Sequence, residues 1–196
     1  MSLYNIVYAD PPWYYRDKAA AGERGAGHKY QTMRDDEIAN LTVESIVADD
    51  AALFLWTTKP KIDVALWVLR KWGFIYKTFA FDWIKLSKEG RPKFGMGHWT
   101  RANAEHVLLG IRGNPKRISG GVSSVVMTTP GKHSKKPDEV RDSIVTLMGD
   151  IPRIELFARK RVDGWDALGY DVGTGDITKS INAMSKERDR NENRSS

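Results

Sequence analysis

The stretch Tyr8-Ala9-Asp10-Pro11-Pro12-Trp13-Tyr14-Tyr15 constrains this chain more than any other. Before it, Tyr4-Asn5-Ile6-Val7-Tyr8 is short, β-branched and aromatic, the composition of a buried strand. Two consecutive prolines then fix φ and withhold two N–H donors, so the chain must leave the sheet there. Asp10 supplies an anionic acceptor at the strand end. The carbonyls of Pro11 and Pro12 are expected to be acceptors that neither helix nor ladder uses. Trp13, Tyr14 and Tyr15 offer flat faces. A planar group carrying –NH2, such as adenine or cytosine, would find acceptors for both its protons and a ring to stack on.

The rest of the chain reads as alternating strands and helices. Ala51–Trp56 is a continuous apolar run, hence a strand buried on both faces. Thr58 can cap the next helix and Pro60 suits its first turn. Ile62, Ala65, Leu66, Leu69 and Trp72 recur at helical spacing up to Gly73. A strand over residues 74–86 follows, and strand, helix, strand implies a parallel sheet. Arg34 to Val47 suggests one or two short helices. Pro137 opens a helix with Asp138 and Glu139 in its first turn and Val140, Ile144, Leu147 and Met148 as its buried stripe. Arg153 to Phe157 is a further strand. Trp99, in the polar stretch 87–104, is expected to pack back onto the core. Residues 1–172 are read as one domain. Residues 173–196 are read as a polar tail, with an apolar stripe at Ile177, Ile181 and Met184 and disorder from Ser185 onward.

Composition narrows the function. The chain has 196 residues and a formal net charge of +6, which permits a nucleic-acid partner. It has no cysteine, and His28, His98, His106 and His133 show no ligand spacing, so no metal site is expected. No signal peptide precedes Tyr4 and no apolar run reaches membrane-spanning length, so a cytoplasmic protein without membrane contact is expected. From Arg112 to Lys136 there is no acidic residue. Lys116, Arg117, Lys132, Lys135 and Lys136 in that run are read as phosphate contacts. Arg16 and His28, on a Gly- and Ala-rich loop after Tyr15, and the aromatic Tyr14 and Tyr15 join them as candidate nucleic-acid contacts. Glu105 and His106 are read as structural.

The Asp10-Pro11-Pro12-Trp13 tetrad resembles the catalytic motif of amino-group methyltransferases that use S-adenosylmethionine. Further blocks resemble the MT-A family, named for the seventy-kilodalton catalytic subunit of the messenger-RNA N6-adenosine methyltransferase. They are Tyr30-Gln31-Thr32-Met33, Asp36-Glu37-Ile38 with Leu41, Leu53-Phe54-Leu55-Trp56, Trp72-Gly73-Phe74 and Trp83-Ile84-Lys85. Then follow Gly97-His98-Trp99, Glu105-His106 with Leu109-Gly110, Lys136-Pro137-Asp138-Glu139 and Ile154-Glu155-Leu156-Phe157. The resemblance implies an α/β fold, a Rossmann-like sandwich with a mostly parallel twisted sheet, helices on both faces and the catalytic motif ahead of the donor-binding strand. It implies S-adenosylmethionine as cofactor, with Ala9, Asp10, Lys85, Glu155, Phe157, Arg159, Tyr170 and Asp171 around it. Better-known members carry amides where this chain has Tyr170 and Asp171. The expected activity is N6-adenine methylation of DNA, with RNA as the runner-up. A catalytically silent nucleic-acid-binding partner and a small-molecule amine methyltransferase remain open alternatives. Relatives pair through loops after the central strands, so a homodimer through residues 87–104 is also expected.

Overall fold

A computed structural model of the chain describes residues 3–15, 32–95, 97, 99–131 and 135–195. Arg16, His28 and Lys132 lie outside the described residues. Among the described residues seven strands form one sheet: β1 (Tyr4–Ala9), β2 (Val47–Thr57), β3 (Ile75–Lys85), β4 (Ala104–Arg112), β5 (Val125–Thr128), β6 (Arg153–Leu156) and β7 (Asp166–Leu168). Their order across the sheet is β5-β3-β4-β2-β1-β6-β7. β1 pairs in parallel with β2 and β6, β3 with β5, and β6 with β7, whereas β4 runs antiparallel to both its neighbours. The sheet is therefore mostly parallel, as expected. The β2-helix-β3 unit does not bring its two strands side by side, because β4 returns between them.

Among the described residues four α-helices flank the sheet: α1 (Asp35–Ala39), α2 (Ile62–Lys71), α3 (Asp138–Met148) and α4 (Ile177–Ser195). The period-2 alternation of the central strands sorts the core into two layers. Val7, Leu53, Leu55, Ile154 and Leu156 pack on one face with Ile38, Leu69 and Ile181 of α1, α2 and α4. Ile6, Tyr8, Phe54 and Trp56 pack on the other with Val140 and Ile144 of α3. β1 is buried on both faces, so the residue that ends it has a rigid base.

Three local readings are revised. The region expected as a disordered tail continues α4 as far as Ser195. Ile177 and Ile181 are buried in the core, and Arg188 donates to the Ser45 carbonyl at 2.7 Å. Thr58 precedes a 3-10 turn, Lys59–Lys61, but its side chain makes no capping bond; its hydroxyl pairs with the Tyr15 hydroxyl at 2.6 Å. Trp99 does not pack onto the core and is 100% exposed.

Candidate active site

β1 is the switch point of the sheet. The chain leaves it towards β2 on one side and comes back through α3 to β6 on the other. In open α/β sheets the crevice outside the carboxyl ends of such a pair of strands is the usual ligand site. Ala9 is in register with Leu156, so Asp10 and Phe157 step off their strands together at this crevice.

Three other elements bring charge to Asp10. Lys85 ends β3. Glu105 lies at the start of β4, which is antiparallel and so begins where β3 ends. Lys136 immediately precedes the turn into α3, whose N-terminus lies at the same end. Lys136 Nζ lies 2.8 Å from Asp10 Oδ1 and 3.1 Å from Glu105 Oε2. Lys85 Nζ pairs with Glu105 Oε1. The ammonium of Lys136 also stands 5.1 Å from the centre of the Trp56 ring, and that of Lys85 4.8 Å from Trp83. Two cations and two anions thus alternate along one connected chain. Burial works against the charged Lys136, but Asp10 and Glu105 outweigh it and hold its pKa above the ordinary value. Burial likewise opposes a charged Glu105, and Lys136 and Lys85 reverse that, holding its pKa below the ordinary value. Among the described residues, no hydrogen bond or ion pair occupies Asp10 Oδ2. A cavity of about 370 Å³ adjoins Lys136, lined in part by Trp83, Thr128, Gly131, Lys135 and Pro137.

The proline turn is more occupied than its sequence suggests. Pro11 O accepts the Trp13 N–H at 2.9 Å and Pro12 O the Met33 N–H at 3.1 Å. Each carbonyl keeps a second lone pair. Trp13 is buried, with its indole N–H donating to the Trp56 carbonyl at 3.2 Å, so it offers no free stacking face. It latches the turn onto β2. Trp13→Ala is expected to destabilise the fold by about 3 kcal/mol, the low end for removing a buried Trp, read from the denaturant midpoint. Tyr14 and Tyr15 are exposed enough to meet a ligand. The Tyr15 ring also faces Lys61 Nζ at 5.5 Å.

The residues expected around the methyl donor divide. Ala9 is fully buried, so its side chain has no exposed surface to offer a ligand. Phe157 has φ 62, a left-handed conformation that costs a residue with a Cβ on the order of 1–2 kcal/mol. Such outliers gather at functional turns. Gly169 follows β7, and a Cβ there would fall on the backbone oxygen of Ala158, so the ends of β6 and β7 close tightly beside Phe157. Arg159, Tyr170 and Asp171 are exposed on the same rim. Glu155 is turned away. Strand alternation sends Ile154 and Leu156 to one core layer and Glu155 to the other, where Arg141 of α3 takes both its oxygens at 2.6 and 3.2 Å. Glu155 is thus a buried structural ion pair and not a donor contact.

The basic run 112–136 is not one surface. β4 runs to the end of the sheet opposite Asp10, so exposed Lys116 and Arg117 lie at the far end from the site. Lys135 is near the site, exposed, and paired with Asp138 at 3.0 Å. Reading the sequence placed Lys136 on phosphate and Glu105 in a structural role, and missed their meeting at Asp10. It also missed Arg141, whose signal was a lone guanidinium inside the apolar stripe Val140–Ile144. Among the described residues no cluster could hold a metal ion, and no helix is long and apolar enough to cross a membrane.

The sequence model of the MT-A70 family matches residues 4–171. The chain is 34% identical over 187 residues to the Type II methyltransferase M.MunI of Mycoplasma sp, covering 86% of this chain and 78% of that protein. It is 30% identical over 195 residues to the N(6)-adenosine-methyltransferase MT-A70-like of Arabidopsis thaliana, covering 95% of this chain and 26% of that one. The N(6)-adenosine-methyltransferase catalytic subunit METTL3 of Homo sapiens is 30% identical over 181 residues, 88% of this chain and 29% of its own length. The chain thus spans most of the first relative and less than a third of the other two.

Proposed function

The chain belongs to the MT-A70 family of S-adenosylmethionine-dependent methyltransferases, and from that membership we propose that it methylates the N6 amino group of adenine in DNA. The observation that carries the reading is Asp10: a carboxylate at the switch-point strand end, gripped on one oxygen by Lys136. DNA is favoured over RNA because the Type II methyltransferase is matched over most of its length, the N(6)-adenosine-methyltransferases only over a part. A cytoplasmic setting goes with this substrate.

The residues at the crevice suit the donor. S-adenosylmethionine carries an amino-acid end of both charges, an adenine ring and a sulfonium. Asp10, Arg159 and Asp171 offer both charges, and the exposed Tyr170 a ring. The tight Phe157 and Gly169 turns let backbone approach the ligand closely. When bound, the donor supplies an electrophilic methyl group, whose carbon–sulfur bonding pair stays with sulfur on transfer.

The chain's own residues act on the acceptor. The lone pair of an adenine amino nitrogen is delocalised into the ring. Asp10 Oδ2 accepts one of its hydrogens and the second lone pair of the Pro11 or Pro12 carbonyl the other. Holding both favours a pyramidal nitrogen with its lone pair facing the methyl group. Lys136 keeps Asp10 in place, and the Asp10 carboxylate supports the positive charge that develops on nitrogen. The proton made acidic by transfer leaves to water, so no histidine base is needed.

The test is incubation with methyl-labelled donor and a panel of adenine-containing DNA and RNA oligomers. The expected product is N6-methyladenine in DNA. Label in RNA alone would move the substrate to the runner-up, and label in neither would overturn the assignment.

A further inference from the structure

We propose that Tyr8 and Thr128 are positioning residues for methyl transfer: their hydroxyls lock the indoles of Trp56 and Trp83, and the two locked rings set the lysines that present Asp10. The inference rests on the methyl-transfer reading above and adds what keeps the reacting carboxylate in place.

Strand alternation turns Tyr8 and Asp10 to one face of the sheet. Trp56 of β2 shares that face, in the core layer of Tyr8 and Phe54. An indole N–H can only donate, and that of Trp56 donates to the Tyr8 hydroxyl at 2.6 Å. Both residues are 1% exposed, so water cannot replace the bond. The Tyr8 ring is itself wedged, with its centre 5.8 Å from the Trp165 ring and 5.6 Å from the Arg141 guanidinium. Trp83 of β3 repeats the device. Its indole N–H donates to Thr128 Oγ1 on β5 at 2.8 Å. Its ring meets that of Trp56 edge to face, 6.1 Å between centres and 79° between planes.

Each ring carries one lysine. Lys136 stands over Trp56 and Lys85 over Trp83, both within the about 6 Å at which a ring face attracts an ammonium. Glu105 joins the two lysines from the other side. Lys136, Trp56, Trp83, Lys85 and Glu105 thus form a closed circuit, and Asp10 is held from its Lys136 corner. The geometry explains why hydroxyls matter here. A lysine has a flexible four-carbon stem, and two carboxylates alone let its ammonium slide between them. A ring fixed beneath it removes that freedom. Phenylalanine would fill the core layer as well as Tyr8, and valine would suit an edge strand as well as Thr128. What the two hydroxyls add is the hold on the indoles. In-line transfer depends on such placement, since a misplacement of about 1 Å can cost about 10²-fold.

The experiment measures single-turnover methylation of an adenine-containing DNA oligomer by the full chain, at saturating S-adenosylmethionine and DNA. Equilibrium binding of each ligand and thermal unfolding are recorded on the same samples. Tyr8→Phe is expected to slow transfer about tenfold, part of the range for a small misplacement, with both affinities little changed. Thr128→Val should slow it less, because its path to Asp10 runs through Lys85 and Glu105. Ile144→Val, in the same core layer as Tyr8, should lower the unfolding midpoint and leave the rate alone, which separates positioning from mere stability. In a Trp56→Phe background, Tyr8→Phe should cost no further rate, because the N–H it held is gone. Independent, additive losses there would mean that Tyr8 does not act through the indole, and the proposal fails. If the unchanged chain methylates DNA and both hydroxyl variants match its rate, the positioning role is overturned and the activity reading stands. Should Tyr8→Phe not fold, Thr128→Val, on the outermost strand of the sheet, decides alone. If the unchanged chain methylates no nucleic acid, the activity reading fails, and the positioning role with it.

Discussion

Asp10→Ala is expected to lower single-turnover methyl transfer by on the order of a hundred- to a thousand-fold or more, the effect of removing one preorganised polar group from a reacting centre. The fold should survive. Asp10 lies just beyond β1, outside both core layers. Lys136 would lose one partner and keep Glu105 at 3.1 Å. Asp10→Asn should be nearly as impaired. It keeps the shape, but it loses the negative charge that holds Lys136 and supports the developing charge on nitrogen. Binding of the DNA oligomer should change little for either variant, since the loss falls on the reacting atoms. A folded Asp10→Ala protein that methylates at close to the unchanged rate would reduce the tetrad to a turn.

Glu155→Ala should destabilise the fold by about 3–5 kcal/mol, as when one partner of a buried ion pair is removed. The Arg141 guanidinium would be left between α3 and β6 with only Asp138, at 2.6 Å, and the Tyr8 ring beside it. With Glu155 present, burial works against the charged guanidinium, but the hydrogen bonds and charge of Glu155 outweigh it and hold the Arg141 pKa above its ordinary value. The double substitution Arg141→Met with Glu155→Leu should recover most of the loss, because apolar side chains of similar volume need no partner. Denaturant midpoints of the two single variants and the double one form the cycle that checks this. Near-additive losses would mean that the two residues are not coupled. The pair also clamps α3 against β6, the strand whose end carries Phe157, so Glu155→Ala should disturb the crevice even where the protein remains folded.

Local chemistry was legible in the order of residues. A β-branched, aromatic run stopped by two prolines could only be a strand with a fixed exit, and β1 ends at Ala9 with Asp10 next. Apolar spacing placed α2 and α3, and Gly73, at φ 81, ends the first of them where a left-handed residue was needed. The co-occurring blocks gave the family, because each is a short motif whose residues are neighbours in the chain. Tertiary structure decided what depends on direction and partner. An apolar run does not say which strand lies beside it, so β4 between β2 and β3 was not visible, and neither was the division of the basic run that its antiparallel course produces. Alternation says that Glu155 points opposite to Leu156, but not which face holds the donor and which holds α3. Trp13 could have been a stacking ring until a backbone carbonyl on β2 took its N–H. Asp10, Glu105 and Lys136 are far apart in the chain. They meet because β1 ends, and β4 and α3 begin, at the same end of the sheet, where opposite charges offset the cost of their shared burial.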